Sequence, residues 1–258
     1  MKCSLPAKRE ILASLVAMSR NLGANKDYVI YAEGNTSARC DDRSFFVKAS
    51  GAGLDKIAVA GFVEVYFEPL LAVLNSAKQG DEIIAQTFKA AKVDKKTTTR
   101  PSIETLFHAF LLTLPGVNFV GHIHPTAVNS LLCSVRSREV FRGHIFPEEI
   151  VICGPEPVFV PYGDPGLALA RQIKKQVNAY MKKWCVPPKM LLMENHGLVA
   201  LGETTREVES ICDMADKVAR VMLGALAIGE IRYLPQKEVD RLCSRPDEIL
   251  RQQQIRGK

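Results

Sequence analysis

Residues 28–67 read YVIYAEGNTSARCDDRSFFVKASGAGLDKIAVAGFVEVYF. Short apolar segments at 29–31, 44–48 and 63–67 alternate with breaks rich in Gly, Asn and Asp, the texture of strands joined by hairpins. Parallel strands would need crossover connections of helical periodicity, and none intervenes here. This stretch therefore makes the first half of the sheet antiparallel or mixed rather than doubly wound.

Helical patterns flank it. Residues 6–22 place Ile11, Leu12, Leu15, Val16 and Leu22 on one stripe that ends before Gly23. Residues 81–91 fit either a strand or a short helix. Residues 101–112 read as a helix capped by Ser102, with Ile103, Leu106, Phe107 and Phe110 at helical spacing. A buried-strand pattern at 118–124 runs directly into His122-Ile123-His124-Pro125, and further strands are expected at 150–153, 157–161, 190–193 and 198–201. A helix over 166–181 begins near Asp164-Pro165. Thr204-Thr205-Arg206-Glu207 forms a capping box that opens a long helix with Val208, Ile211, Ala215, Val218, Ala219, Met222 and Leu223 on its apolar face. Past Gly229 the chain turns polar, broken by Pro235 and Pro246, which predicts a tail that packs late or on a partner. No repeat and no Pro/Gly/Ser-rich linker divides the sequence, so the expectation is a single α/β domain.

With 258 residues, 47% hydrophobic and 24% charged, the chain can bury one large core, and its hydrophobic content argues against disorder. No apolar run reaches the roughly 18–20 residues that span a bilayer, and residues 1–10 carry Lys2, Lys8, Arg9 and Glu10 with no apolar signal region. A cytoplasmic protein with no membrane partner is expected. The net charge of +6 invites phosphate or nucleic acid, but no aromatic-rich basic motif supports nucleic acid. The excess sits in two segments: 89–100 holds five basic residues against one acidic, and 232–258 holds seven against four. Seven scattered cysteines form neither a disulfide framework nor a Cys-x-x-Cys knuckle and read as reduced, mostly core residues.

Five histidines occur. His122 and His124, two apart at a strand end, point to one face, a chelating arrangement also found by chance on surface strands. His196 lies in the polar break Met193-Glu194-Asn195-His196-Gly197, which core packing explains poorly. Three neutral imidazoles leave an open position on a tetrahedral ion, the composition of a catalytic metal site. Glu104, at the start of the 101–112 helix, is either a carboxylate answering the helix N-terminus or a functional acid/base. His108 shares its helix face and is either packed or supports the metal site, and His144 lies in a polar stretch. Gly34-Asn35-Thr36-Ser37 and Ser50-Gly51-Ala52-Gly53 combine free backbone N–H groups with hydroxyls, as anion cradles and ordinary turns both do, with Arg39 and Lys48 flanking.

The motifs Glu33-Gly34-Asn35-Thr36-Ser37-Ala38-Arg39, Lys48-Ala49-Ser50-Gly51, Pro101 to His108, Gly121 to Ala127 and Glu194 to Gly197, in that order, resemble the class II aldolase/adducin family from about residue 8 to 228. Residues 229–258 are left as a polar C-terminal tail. The resemblance implies a single α/β/α layered domain on a mixed, mainly antiparallel sheet, assembled as a homotetramer with active sites between subunits. It implies one zinc, or another divalent transition metal, per chain, with His122, His124 and His196 as ligands and Glu104 as a catalytic acid/base that also reaches the metal. Asn35, Ser50, Gly51 and Ser102 match phosphate-holding positions. The implied reaction is reversible cleavage of a ketose 1-phosphate to dihydroxyacetone phosphate and an aldehyde through a metal-stabilised enediolate.

Two positions depart from the sugar-phosphate aldolases. Ile103 stands where a second hydroxyl residue often precedes the glutamate. The region that carries a proton-donating tyrosine in fuculose-phosphate aldolases holds Phe141, Arg142, His144 and Phe146, with no tyrosine before Tyr162. His144 is a substitute donor on this reading. Related epimerases carry Asp in place of Glu104, whereas decarboxylases and dehydratases of the family keep both the glutamate and the histidines and form the alternative. Non-catalytic adducin-like binding modules lose the histidines that this chain retains.

Overall fold

The computed structural model describes residues 7–77 and 79–245. Helix α1 (Lys8–Ala24) is followed by strands β1 (Asn35–Arg39), β2 (Ser44–Lys48) and β3 (Phe62–Tyr66), then α2 (Phe67–Asn75), α3 (Asp81–Ala91) and α4 (Thr105–Leu111). Strand β4 (Phe119–Ile123) leads to α5 (Thr126–Leu132), α6 (Ser137–Val140) and α7 (Pro147–Cys153). Next come β5 (Val158–Val160), α8 (Leu167–Trp184), β6 (Met190–Met193), β7 (Gly197–Gly202), α9 (Thr205–Ile228) and α10 (Gln236–Ser244).

The seven strands form one sheet in the order β3-β2-β1-β4-β7-β6-β5, antiparallel throughout except for the parallel β5–β6 pair. One face buries Phe45, Val47, Val65, Val120, Val199 and Leu201 against α2, α4 and α8. The other buries Phe46, Ile123, Leu198 and Ala200 with residues of α1, α5 and α9. The result is the expected α/β/α layering on a mixed, mainly antiparallel sheet. Among the described residues no helix is long and apolar enough to cross a membrane.

Several local expectations change. Residues 29–31 form a turn, with Tyr31 left-handed at φ 52°, and the Tyr28 carbonyl accepts from the His124 N–H at 2.9 Å. The strand lies instead at β1, where small hydroxyl residues hide it: Ser37 and Asn35 face α4, while Thr36 faces α1 and pairs with Ser19 at 2.6 Å. Residues 150–153 belong to α7, because Pro147 at its first turn and Glu148 and Glu149 behind it favour a helix start over the β-branched run. Residues 81–91 are helical. Helix α4 begins only at Thr105, since Ser50 N–H to Arg100 O (2.8 Å) and Ser102 N–H to Lys48 O (3.2 Å) hold 100–102 extended. Thr204 caps α9 through the Glu207 N–H at 3.2 Å, but Glu207 returns to the Glu203 N–H rather than closing the box.

The segment past Gly229 is not a bare tail. Helix α10 buries Val239 and Leu242 against Ile150 of α7, and the Leu234 N–H donates to the His144 carbonyl at 2.7 Å. Cys40, Cys153 and Cys212 are buried, as expected, whereas Cys133 and Cys185 are exposed, and all five are free. Cys3, the side chain of Cys243 and residues 246–258 lie outside the described residues.

Candidate metal centre

Strand pairing brings the site together. His122 in β4 lies between Asn35 of β1 and Val199 of β7 in register, so the Asn35 and His122 side chains share the α4 face. His124 follows just past the strand end. His196 comes from the three-residue turn between β6 and β7, where Asn195 takes the left-handed conformation at φ 53° and Met193 pairs with Gly197. Gly197 is required there, since a Cβ would fall 2.6 Å from Ile123 O and 2.8 Å from His124 Cδ2. Asn129 of α5 fixes the turn by donating to His196 O at 3.1 Å.

One ring nitrogen from each of His122, His124 and His196 lies within 4.8 Å of the other two. His122 is fully buried, and its Nδ1 donates to Leu198 O at 2.9 Å, which leaves the Nε2 lone pair facing inward, 3.0 Å from His124 Nε2. Converging lone pairs repel unless a cation lies between them, and two nitrogens each about 2.0–2.1 Å from a shared ion would stand close to this spacing. The donor set therefore fits a divalent transition metal. Glu104 Oε1 completes the cluster at 3.1 Å from His196 Nε2 and 3.5 Å from His122 Nε2, while the Asn35 amide donates to Oε2 in a short contact.

Burial acts to raise the Glu104 carboxyl, but the adjacent His122 and His196 rings outweigh it and hold it well below the usual carboxylate range. His122 is raised: burial opposes its charge, and Glu104 overcomes that. His124 is pushed down to about 3 by burial and by its two histidine neighbours.

Ser50, Gly51 and Ser102 also gather here. Ser102 Oγ accepts the Glu104 N–H at 3.3 Å, and the bridge between Ala49 and Pro101 sets Ser50 and Gly51 beside it. Gly51 adopts φ 80° and is open above its backbone. Lys48, which the sequence suggested only as a flanking charge, is 2% exposed and donates to Ala32 O (2.9 Å) and Ala52 O (2.6 Å), tying the loop before β1 to the Ser50–Gly51 turn. Burial lowers it to about 8, against the pull of Glu104. Its alternation with Phe46 along β2 was the available signal for an inward position. Arg39 is a surface partner of Asp42.

His108 is packed: it is fully buried, stacked on Phe107, and its Nδ1 lies 2.7 Å from Ser37 Oγ. His144 is not brought to the cluster. Its Nε2 donates to Pro155 O at 2.7 Å, and its Nδ1 lies 3.1 Å from Glu149, under the C-terminal segment. Tyr162 is exposed and reaches Asp164.

A family model described as the class II aldolase and adducin N-terminal domain matches residues 13–223. Among curated proteins, the chain is 29% identical over 201 residues to the uncharacterized oxidoreductase YuxG of Bacillus subtilis, covering 74% of this chain and 26% of that protein. It thus spans about a quarter of that relative's length. It is 25% identical over 227 residues to the methylthioribulose-1-phosphate dehydratase of Microcystis aeruginosa, covering 83% and 96%. Among solved structures, the N-terminal class II aldolase domain of a conserved Thermoplasma acidophilum protein superposes with a TM-score of 0.66 at 25% identity, covering 86% of this chain and 95% of that one. The L-fuculose-1-phosphate aldolase of Thermus thermophilus shares the fold, with a TM-score of 0.56 at 14% identity and coverage of 85% and 96%.

Proposed function

Because the chain belongs to the class II aldolase and adducin family, we propose that it is a metal-dependent lyase that reversibly cleaves a ketose 1-phosphate into dihydroxyacetone phosphate and an aldehyde. The observation that supports this most is the placement of Glu104, with Oε1 beside two of the three inward-facing ring nitrogens and Oε2 held by Asn35. His122, His124 and His196 would hold one zinc, or another divalent transition metal, per chain. The bound ion supplies a Lewis acid that polarises a carbonyl oxygen and offsets the charge developing next to it.

Glu104 carries the proton. Its carboxylate is ionised at neutral pH and aimed by the Asn35 amide, so it can remove and return a proton at the carbon that becomes the hydroxymethyl of dihydroxyacetone phosphate. The Ser50 and Ser102 hydroxyls and the Gly51 N–H would offer donors to a phosphate group beside Asn35, and the buried Lys48 ammonium ties down the turn that carries Ser50 and Gly51. The same reading takes the protein as a homotetramer with sites completed between subunits.

The second reading is a dehydratase or decarboxylase on a phosphorylated sugar acid or ketose. The full-length match to a dehydratase favours it, as does Ile103 in place of a second hydroxyl. Incubating the metal-loaded protein with dihydroxyacetone phosphate and a panel of small aldehydes separates the two. A new ketose 1-phosphate supports the aldolase, whereas loss of water or carbon dioxide from a single phosphorylated substrate, with no condensation, assigns the alternative. A protein that takes up no metal would return the chain to an adducin-like binding role.

A further inference from the structure

A cavity of about 200 Å³ lies between the loop that carries His144, Pro155 and Glu156 after α7, Trp184 at the end of α8, and Leu234 and Val239 of the C-terminal segment. None of His122, His124, His196 or Glu104 lines it.

His144 is buried in this wall between two acceptors. Its Nε2 donates to Pro155 O at 2.7 Å, which places a proton on that nitrogen, and its Nδ1 faces Glu149 Oε1 at 3.1 Å with no other partner among the described residues. The two side chains are only 6% and 7% exposed, so water does not come between them. A neutral ring has a single N–H and can serve the carbonyl only by turning the Nδ1 lone pair onto a carboxylate oxygen. A second proton converts that repulsion into a buried ion pair. Glu149 is fixed from its other side, where Oε2 accepts the Ile145 N–H at 2.9 Å. Burial acts against the charge on His144, but Glu149 and the Pro155 carbonyl overcome it and raise the group above its ordinary value.

The other groups around the ring are engaged or silent near neutral pH. Glu156 is held by Lys183 at 2.7 Å and by Trp184 Nε1 at 2.8 Å, and Arg142 lies 5.0 Å above the Tyr233 ring and 4.0 Å from Glu139. Burial raises both Cys153 of α7 and Tyr233, so neither loses its proton near pH 7. The C-terminal segment brings only Leu234, Gln236 and Val239 to the cavity, none of which titrates.

The loop 141–146 connects this proton to α10. The His144 carbonyl accepts the Leu234 N–H at 2.7 Å, and the Tyr233 ring lies so close over Gly143 that a Cβ there would stand 3.0 Å from it. The Tyr233 hydroxyl donates to Val140 O at 2.9 Å, and Val239 and Leu242 close over Ile150, the residue after Glu149. A loop pinned through both ring nitrogens of His144 presents this surface in one arrangement, whereas a neutral ring pins it through one.

We propose that the C-terminal segment 231–244 is a pH-sensitive latch, docked on the loop 141–146 while the His144 ring carries two protons and released as the second is lost. With the segment undocked, His144 is open to water and returns to its ordinary value near 6.5. Docking is therefore at full strength below about pH 6.5 and weakens, by up to about tenfold per pH unit, until the pH has passed the raised value of the docked state. The latch is independent of the reaction proposed above, since no residue of the metal centre takes part.

Trp184, the one tryptophan of the chain, lines the same cavity and reports the latch by its fluorescence. On the full-length protein its emission should titrate with a midpoint above pH 6.5. Trypsin cleavage after Arg232, normalised to an unstructured peptide of the same sequence, should speed up by up to about tenfold per pH unit over the same range. His144→Gln should abolish both responses, and Glu149→Gln, which keeps the side-chain volume, should move the midpoint down to 6.5 or below. Emission and cleavage that stay flat from pH 6 to 9 would overturn the proposal, as would responses that persist unaltered in both variants. An emission that titrates while cleavage does not would overturn it too and leave His144 as a protonated core residue.

Discussion

Glu104 Oε1 stands 3.1 Å from His196 Nε2, a contact that joins the start of α4 to the turn between β6 and β7. A carboxylate at a helix start needs no such partner to be stable, and its approach to two ring nitrogens favours the proposed acid/base role over that of a helix-end charge. Replacing Glu104 with Gln should leave the three histidines able to take up metal while turnover drops by about 10²–10⁴-fold, the usual worth of a positioned acid/base. Elemental analysis together with the steady-state rate checks this, and an unaltered rate would make Glu104 a structural residue.

Gly197 supports the same cluster from below. A methyl added there would meet the Ile123 carbonyl at 2.6 Å and the His124 ring at 2.8 Å, and backbone on one side cannot give way. Gly197→Ala should destabilise the protein by about 1–3 kcal/mol through overpacking and displace His124. Denaturant midpoints and a metal titration read the two effects. A variant with unaltered metal affinity would show that the ring has room to move.

The sequence made the chemistry more legible than the local structure. His122 and His124 stand out by spacing and His196 by a polar break between apolar strands, whereas Glu104 reads first as a helix-end carboxylate and gains its acid/base reading only from the family resemblance. Strand β1 was hidden because Asn35 is a poor strand former and the burial of Asn35, Thr36 and Ser37 depends on partners far away in the chain: Glu104, Ser19 and His108. Helix α7 was hidden by its β-branched residues until Pro147 and the two glutamates are weighed as a start signal. Lys48 read only as a flanking charge, because the groups that hold its ammonium are backbone carbonyls of loops folded against it.

His108 predicts an acid sensitivity. Burial pushes it down to about 3, so between that value and its ordinary value near 6.5 the unfolded chain binds a proton that the folded chain does not. The stabilisation is fully present above pH 6.5 and falls by about 1.4 kcal/mol per pH unit as the pH drops through that window. His108→Leu leaves the Ser37 hydroxyl without its partner, at a cost of about 1–3 kcal/mol, but should flatten this slope. Urea midpoints of both proteins between pH 4 and 7 compare the slopes (about three pH units), and parallel curves would show that His108 is charged in the fold.

Lys48 separates holding a loop from holding the fold. Its ammonium is nearly removed from water and satisfied by two carbonyls, Ala32 O and Ala52 O, with no carboxylate in hydrogen-bond contact. In Lys48→Met the lost hydrogen bonds are offset by the relief of a desolvated charge, so the thermal midpoint should move by less than about 2–4 °C, the shift that 1 kcal/mol produces in a domain of this size. The two loops that carry Asn35 and the Ser50–Gly51 turn would then be joined only through their own backbone. KM for a phosphorylated substrate should rise about tenfold, the worth of one lost charged contact, while kcat changes far less, because Glu104 and the histidines are untouched. Inorganic phosphate should weaken in parallel as an inhibitor. A variant whose KM and phosphate inhibition match those of the unaltered protein would place Lys48 outside phosphate recognition and leave it as a strap between two loops.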